Sequence, residues 1–104
     1  MEQPSNQPST IYGTIHSEAY NLFGGITPPG DTINVPDAQT SFHLYAIEWT
    51  PDKIDFYLDD QNYFTFSNDQ AGSATWPFNN PFYIILNVAV GGSWSGDPDS
   101  TTIF

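Results

Sequence analysis

The pattern of apolar positions predicts β-strands at two places in the first half of the chain. Residues 10–17 place Ile11, Gly13 and Ile15 between polar or aromatic neighbours, a period of two that is typical of a half-buried strand. The same alternation puts Tyr12 and His16 on one face. Residues 42–49 are apolar on both alternating faces, which predicts a central strand that is covered on both sides.

The middle of the chain predicts an antiparallel meander. Residues 54–59 alternate in hydropathy and follow a Thr-Pro-Asp-Lys turn at residues 50–53, where proline favours the second position of a type I turn. A second turn at residues 59–62 leads into a short apolar run at residues 63–66. The strand at residues 42–49 and these two runs are therefore expected to pair in sequence order.

The strongest strand signal in the chain is residues 82–90, an apolar run interrupted only by Asn87. Residues 22–40 are rich in glycine and proline and predict a long loop with one short strand near residues 32–35 and no helix. Residues 67–80 predict another loop, in which Trp76 has a structural role.

These elements predict an all-β fold, an antiparallel β-sandwich of the jelly-roll, lectin-like type. Sandwiches of this kind often need roughly 200 to 250 residues, whereas the chain has 104. A few long strands would leave one sheet without its facing partner. We therefore expect residues 1–104 to be an incomplete domain.

Charge and composition exclude several classes of function. Lys53 is the single basic residue against twelve carboxylates, and the net charge of -11 opposes binding to nucleic acid or to an anionic membrane. The negative charge is compatible with binding of a neutral polysaccharide, because proteins hold sugars by aromatic stacking and hydrogen bonds. The chain has no cysteine. The polar residues after Met1 predict no signal peptide, and no run is apolar enough to span a membrane.

Three segments carry a resemblance to a known family. They read Ile-Tyr-Gly-Thr-Ile-His at residues 11–16, Phe-His-Leu-Tyr-Ala-Ile-Glu-Trp-Thr-Pro-Asp-Lys-Ile at residues 42–54, and Phe-Tyr-Ile-Ile-Leu-Asn-Val-Ala-Val-Gly-Gly-Ser-Trp at residues 82–94. In order and spacing they are similar to laminarinases of glycoside hydrolase family 16. The resemblance implies a concanavalin A-like jelly roll, with residues 1–104 as the C-terminal part of a catalytic domain. It also implies a retaining endo-β-1,3-glucanase that is extracellular and acts on β-1,3-glucan or mixed-linkage β-glucan.

The resemblance assigns one catalytic residue to this chain. The catalytic strand of the family reads Glu-x-Asp-x-x-Glu, often ends in Met-Glu, and lies shortly before the Gly-Thr-Ile-His segment. Met1-Glu2 stands at that ending, so the resemblance implies that Glu2 is the general acid/base. The nucleophile would precede Met1, and a retaining glycosidase needs both carboxyls. We expect the chain alone to be inactive.

Four further residues are candidates for substrate binding. Trp94 lies among glycines and serines, where an indole stacks on a sugar more readily than it fills a core. His16 is either a hydrogen-bonded strand histidine or a cleft residue. The resemblance places Asn87 on the strand that enters the cleft, although a structural amide is the alternative. Trp49 ends a buried strand and belongs either to the core or to the cleft floor.

The acidic residues in the turns are candidates for a metal site. We expect no cofactor and no metal ligands, since turn capping explains the acidic residues near Asp59 and Asp99 as well as calcium does. Many members of the family hold a structural calcium, for which we expect ligands mainly in strands outside these residues. A non-catalytic β-glucan-binding module or lectin is the alternative function. A third possibility is a fragment that folds only with its missing N-terminal half as partner.

Overall fold

Five antiparallel strands form two small sheets in the computed structural model, which describes residues 1–103. β1 (Thr10–Thr14) pairs with β2 (Gly30–Asn34) in a two-stranded sheet. β3 (Tyr45–Trp49), β4 (Lys53–Leu58) and β5 (Gln61–Ser67) form a three-stranded sheet in sequence order. The predicted antiparallel meander is therefore confirmed.

The segment between β1 and β2 contains one short helical turn. A 3-10 helix spans Leu22–Gly24, and the side chain of Asn21 caps it by accepting a hydrogen bond from the backbone N–H of Gly24 at 2.7 Å. The helix ends at Gly25, whose φ of 74° is the left-handed conformation that glycine adopts most easily. The expectation of no helix in residues 22–40 is therefore wrong at Leu22–Gly24, where the Asn21 cap stabilises a single turn, and the short strand in this segment begins two residues earlier than expected.

β3 lies at an edge of its sheet, so the prediction of a central strand is wrong for the described residues. β4 holds the central position because it pairs with β3 on one side and β5 on the other. Tyr45, Ile47 and Trp49 share a face with the buried residues of β4, yet they are 42%, 51% and 42% exposed. Apolar residues on both faces did not predict the position of β3 in the sheet, because they do not specify which strands pair with it.

The hydrophobic core lies between the two sheets. One cluster joins Ile15, the residue after β1, to Ile54 and Phe56 of β4 and to Trp76. A second joins Ile11 to Val35 and Leu58. Because residues from both sheets bury their side chains against one another, the described chain is a two-layer sandwich.

Gly13 marks the closest approach of β1 to the opposite sheet. A Cβ atom at Gly13 would lie 2.8 Å from the hydroxyl of Tyr63 and 2.9 Å from the ring of Phe56. Such distances are shorter than a van der Waals contact. The sandwich therefore depends on the absence of a side chain at this position.

Residues 82–90 do not form a strand in the described structure, contrary to the prediction from their apolar run. All nine are exposed, with Ile84, Leu86 and Val88 at 87%, 91% and 92%. A strand is completed by hydrogen bonds to a neighbouring strand, and none of the strands within residues 1–103 takes that position. Hydropathy predicted a buried environment that these residues do not have here.

No helix among residues 1–103 has the length and apolar character to cross a membrane.

Candidate functional site

Glu2 is fixed against the outer edge of β1 by its backbone. Its N–H donates to the carbonyl of Tyr12 at 3.0 Å, and its carbonyl accepts from the N–H of Tyr12 at 2.8 Å. The two residues form an antiparallel bridge. Directly opposed residues in such a pair project to the same face, so the side chains of Glu2 and Tyr12 emerge together.

That face points away from the core of the sandwich. In β1, Ile11 and Gly13 are buried, as is Ile15 just beyond it, whereas Tyr12 is half-buried. Because side chains alternate along a strand, Tyr12 and Glu2 lie on the opposite, outer face of the two-stranded sheet. We call this surface the Tyr12 face.

Trp94 is brought to the Tyr12 face from the far end of the sequence. Its ring lies edge-on to that of Tyr12, with centroids 5.1 Å apart and an interplanar angle of 80°. The side-chain amide of Asn6 donates to the carbonyl of Trp94 at 2.9 Å, and the hydroxyl of Ser5 donates to the carbonyl of Ser95 at 3.3 Å. The indole remains 46% exposed. A carboxyl group and an accessible aromatic ring thus flank the same tyrosine.

His16 and Asn87 have different relationships to this cluster. His16 follows the last residue of β1 by two positions and is exposed. Continued alternation puts it on the same side as Tyr12, about 13 Å further along the strand. Asn87 is exposed within residues 82–90 and belongs to neither sheet. Alternation beyond β1 therefore predicts His16 on the side of Tyr12, whereas Asn87 has no place on the Tyr12 face of the described structure.

Trp49 lies apart from the Tyr12 face. It shares the inner face of the three-stranded sheet with Ile54. Its indole N–H donates to the carbonyl of Phe78 at 3.0 Å, and its ring meets that of Phe82 edge-on at 5.9 Å. A shallow groove of about 340 Å³ runs beside it. Trp49 is 42% exposed beside this groove, so it is not a core residue of the described chain, and it does not lie on the Tyr12 face.

Trp76 is buried, at 3% exposure, as its structural role predicts. Its ring stacks on that of Phe66 at 5.5 Å, and its indole N–H donates to the side-chain oxygen of Asn79 at 3.2 Å. A tryptophan whose face and N–H are both occupied inside the protein is not available to a sugar.

His43 forms a polar cluster that sequence reasoning missed. Its Nδ1 lies 2.9 Å from a carboxylate oxygen of Asp59, and its Nε2 lies 3.2 Å from Asp37. The hydrogen bond to Asp59 is the main reason that the pKa of His43 is raised. No sequence motif relates these three residues, because 22 positions separate the two carboxylates. The cluster ties the loop after β2 to the β4–β5 turn.

A buried carboxylate lies on the outer face of the three-stranded sheet. Asp55 is 2% exposed and pairs with Lys53 at 2.5 Å, while the hydroxyl of Thr65 donates to it at 2.5 Å. The hydrogen bonds from Lys53 and Thr65 hold the pKa of Asp55 below its usual value. Its partners on both sides indicate a structural ion pair.

No cluster of His, Asp and Glu side chains within residues 1–103 could hold a metal ion. The Asp59 carboxylate accepts from the backbone N–H of Leu44, and the Asp99 carboxylate accepts from Thr101, as turn-capping residues do. Turn capping therefore accounts for both carboxylates.

Comparisons with known proteins agree with the motifs. The model of glycosyl hydrolases family 16 matches residues 1–103. The chain belongs to this family. It is 44% identical over 109 residues to a beta-glucanase of Rhodothermus marinus, covering 96% of this chain and 38% of the relative. It is also 37% identical over 97 residues to a beta-1,3-glucan-binding protein of Penaeus monodon, covering 77% of this chain and 26% of that protein.

A solved structure supports the family 16 fold. The X-ray structure of the laminarinase from Rhodothermus marinus superimposes with a TM-score of 0.83 at 46% sequence identity, covering 88% of this chain and 38% of the laminarinase. The predicted all-β jelly-roll sandwich is thereby confirmed. The chain spans little more than a third of the length of the Rhodothermus marinus beta-glucanase and of the laminarinase in the X-ray structure, so its two sheets correspond to part of a larger sandwich.

Proposed function

We propose that residues 1–104 form part of the catalytic domain of a retaining endo-β-1,3-glucanase, in which Glu2 is the general acid/base. The observation that carries the proposal is the pairing of Glu2 with Tyr12, on the face turned away from the core, where the Tyr12 ring also contacts the exposed indole of Trp94. The family 16 match and the likeness to a laminarinase support the same assignment.

The chemistry assigns Glu2 two proton transfers. A retaining glycosidase holds two carboxyl groups about 5 to 5.5 Å apart, one on each side of the reaction centre. The Glu2 carboxyl would protonate the leaving glycosidic oxygen while the second carboxylate attacks the anomeric carbon. Glu2 would then accept a proton from the water that releases the sugar.

The nucleophile is not among these 104 residues. No Glu-x-Asp-x-x-Glu pattern occurs in them, and the remaining glutamates are Glu18 and Glu48. Glu48 pairs with Asp55 in the three-stranded sheet and accepts a hydrogen bond from Tyr57 at 3.1 Å, remote from the Tyr12 face. We assign the nucleophile to a segment that precedes Met1 in the complete domain.

The substrate class follows from the side chains near Glu2. Trp94 offers a ring on which the apolar face of a glucose unit can stack. His16 lies further along the same face and offers hydrogen bonds to sugar hydroxyls, and we assign Asn87 a similar contact in the complete sandwich. A neutral β-1,3-glucan, with or without mixed linkages, meets no repulsion from the net charge of -11.

The experiment fuses the N-terminal part of the Rhodothermus marinus laminarinase, up to its last catalytic-strand residues, directly before Met1. We expect this fusion to release reducing ends from laminarin, whereas residues 1–104 alone release none. Glu2→Gln should lower the fusion activity by about 100-fold or more, since general acid–base catalysis contributes about 10² to 10⁴.

Glu18→Gln is the matched control, because Glu18 is an exposed glutamate outside β1. It should leave the hydrolysis rate unchanged. Laminarin hydrolysis by residues 1–104 alone that disappears in Glu2→Gln would contradict the assignment of the nucleophile. Full activity of the folded Glu2→Gln fusion would contradict the assignment of the acid/base.

A second candidate is β-glucan binding without catalysis. The likeness to a beta-1,3-glucan-binding protein and the exposed Trp94 favour it. The DNA that precedes the Met1 codon separates the two functions. In-frame codons for Glu-x-Asp-x support the glucanase, whereas a stop codon together with tight laminarin binding by the chain supports the binding module.

A further inference from the structure

The loop that carries Trp94 has a backbone with little stiffness of its own. Gly91, Gly92 and Gly96 surround the tryptophan with φ values of 74°, 126° and 90°, in the region that side chains disfavour. Glycines lower the barrier to other loop conformations as well as to this one. An indole on such a loop would lose conformational entropy when it stacks on a ligand unless something else holds it.

The N-terminal segment supplies that support. Asn6 and Ser5 donate hydrogen bonds to the carbonyls of Trp94 and Ser95, across 88 and 90 positions of the sequence. The ring of Tyr12 meets the indole edge-on at 5.1 Å. These contacts hold the backbone of the loop at two points and the indole at a third.

Tyr12 is itself fixed on three sides. Its backbone pairs with Thr32 of β2 and with Glu2. Its hydroxyl donates to the side-chain oxygen of Gln7 at 2.7 Å. Tyr12 belongs to neither core cluster, so its ring does not serve the packing between the sheets. One residue thus contacts both Glu2, through the backbone, and Trp94, through the ring.

We propose that Tyr12 is a positioning residue that holds the Trp94 indole in register with Glu2, so that a glucose unit stacked on Trp94 lies at a fixed distance from the acid/base carboxyl. This inference rests on the proposed function for the role of Trp94. The sequence predicted only that Tyr12 lies on one face of a strand.

The test uses the full chain labelled with 5-fluorotryptophan, which gives one ¹⁹F resonance for each of its three tryptophans. Substitution of each tryptophan by phenylalanine assigns them. In the absence of sugar, Tyr12→Leu should move the Trp94 resonance and leave that of buried Trp76 in place. Tyr12→Phe keeps the ring and should preserve the Trp94 resonance. Tyr45→Leu, on the other sheet, is the matched control and should not affect it.

Titration with laminarihexaose provides the binding measurement. The wild-type Trp94 resonance should shift on binding, and Tyr12→Leu should weaken the affinity about threefold to tenfold, as expected for loss of one aromatic pair. Asn6→Ala lies outside the core and should weaken it about fivefold through loss of one hydrogen bond. It provides a second variant if Tyr12→Leu does not fold.

The outcomes distinguish the role of Trp94 in binding from the positioning role of Tyr12. A Trp94 resonance that does not respond to saturating laminarihexaose contradicts the role of Trp94 in the proposed function. A Trp94 resonance that responds to sugar, but has the same position and the same affinity in wild type, Tyr12→Leu and Asn6→Ala, overturns the positioning role alone.

Discussion

Gly13→Ala tests the packing of β1 on the opposite sheet. The added methyl group would lie 2.9 Å from a Phe56 ring carbon and 2.8 Å from the Tyr63 hydroxyl. Carbon atoms prefer about 3.5 to 4.0 Å, so the sheets must separate by about 0.6 Å or the two rings must turn. Overpacking of this kind costs about 1–3 kcal/mol. A less flexible unfolded chain offsets about 0.4–1 kcal/mol of that cost.

The net expectation is a destabilisation of about 1–2 kcal/mol, which in a domain of this size lowers the melting temperature by roughly 4–16 °C. Urea unfolding followed by circular dichroism measures this change in the free energy of unfolding. Gly24→Ala is the matched control, because its new methyl would meet only the flexible Asn21 side chain, at 3.3 Å. An unchanged midpoint for Gly13→Ala would refute the close approach of the sheets.

Tyr63→Phe extends the same test to the partner of Gly13. The Tyr63 hydroxyl is buried and has no hydrogen-bond partner within residues 1–103, and burial raises the pKa of Tyr63 to about 12. Removing an unpaired buried hydroxyl should leave stability unchanged or increase it. It should also reduce the cost of Gly13→Ala, because the nearest clashing atom is gone. Additive effects in the double variant would contradict a direct contact.

Three further predictions concern the polar clusters and the tryptophans. The pKa of His43 is raised, and the pKa values of Asp37 and Asp59 are lowered. This cluster therefore stabilises the fold most between about pH 4 and pH 6.5. Its contribution decreases as pH rises through the pKa of folded His43. His43→Gln should remove that loss of stability in urea titrations between pH 6 and pH 9, whereas His16→Gln should retain it. Thr65→Val should raise the pKa of Asp55, measured by NMR titration of its carboxyl carbon, because a hydrogen bond to the ionised form is lost; an unchanged pKa would contradict the bond. Trp76→Ala should destabilise the fold by about 3–5 kcal/mol, whereas Trp94→Ala should cost less than about 1 kcal/mol and abolish laminarihexaose binding, as measured by denaturation and calorimetry. The opposite order of stabilities would contradict the assignment of Trp76 to the core.

Local patterns predicted the meander because its partners are close in sequence. β3, β4 and β5 are joined by turns of a few residues, so alternation and turn residues specify both the strands and their pairing. Residues 82–90 show the opposite case. Their apolar run indicates burial, yet strand formation requires a neighbouring strand that the described residues do not provide.

The candidate site could be predicted only in part. The family resemblance pointed to Glu2 as a candidate, which stays a prediction, and glycine-rich surroundings predicted that Trp94 is an accessible aromatic residue, which it is at 46% exposure. The contact of both with Tyr12 depends on a single backbone bridge and on hydrogen bonds across about 90 positions, which leave no periodic signal in a sequence. Trp49 was ambiguous for the same reason, because the position of a strand end relative to the other sheet is a property of the folded structure.

The acid/base role of Glu2 is tested most directly by the leaving-group dependence of the Glu2→Gln fusion protein. The sugar that leaves from laminarin needs a proton on its glycosidic oxygen. The dinitrophenolate that leaves from a dinitrophenyl laminaribioside does not need one. We expect Glu2→Gln to lose about 100-fold or more in laminarin hydrolysis while the aryl glycoside still releases dinitrophenol in a first-turnover burst. Equal losses on both substrates, or no loss on laminarin, would contradict the assignment of Glu2 as the general acid/base.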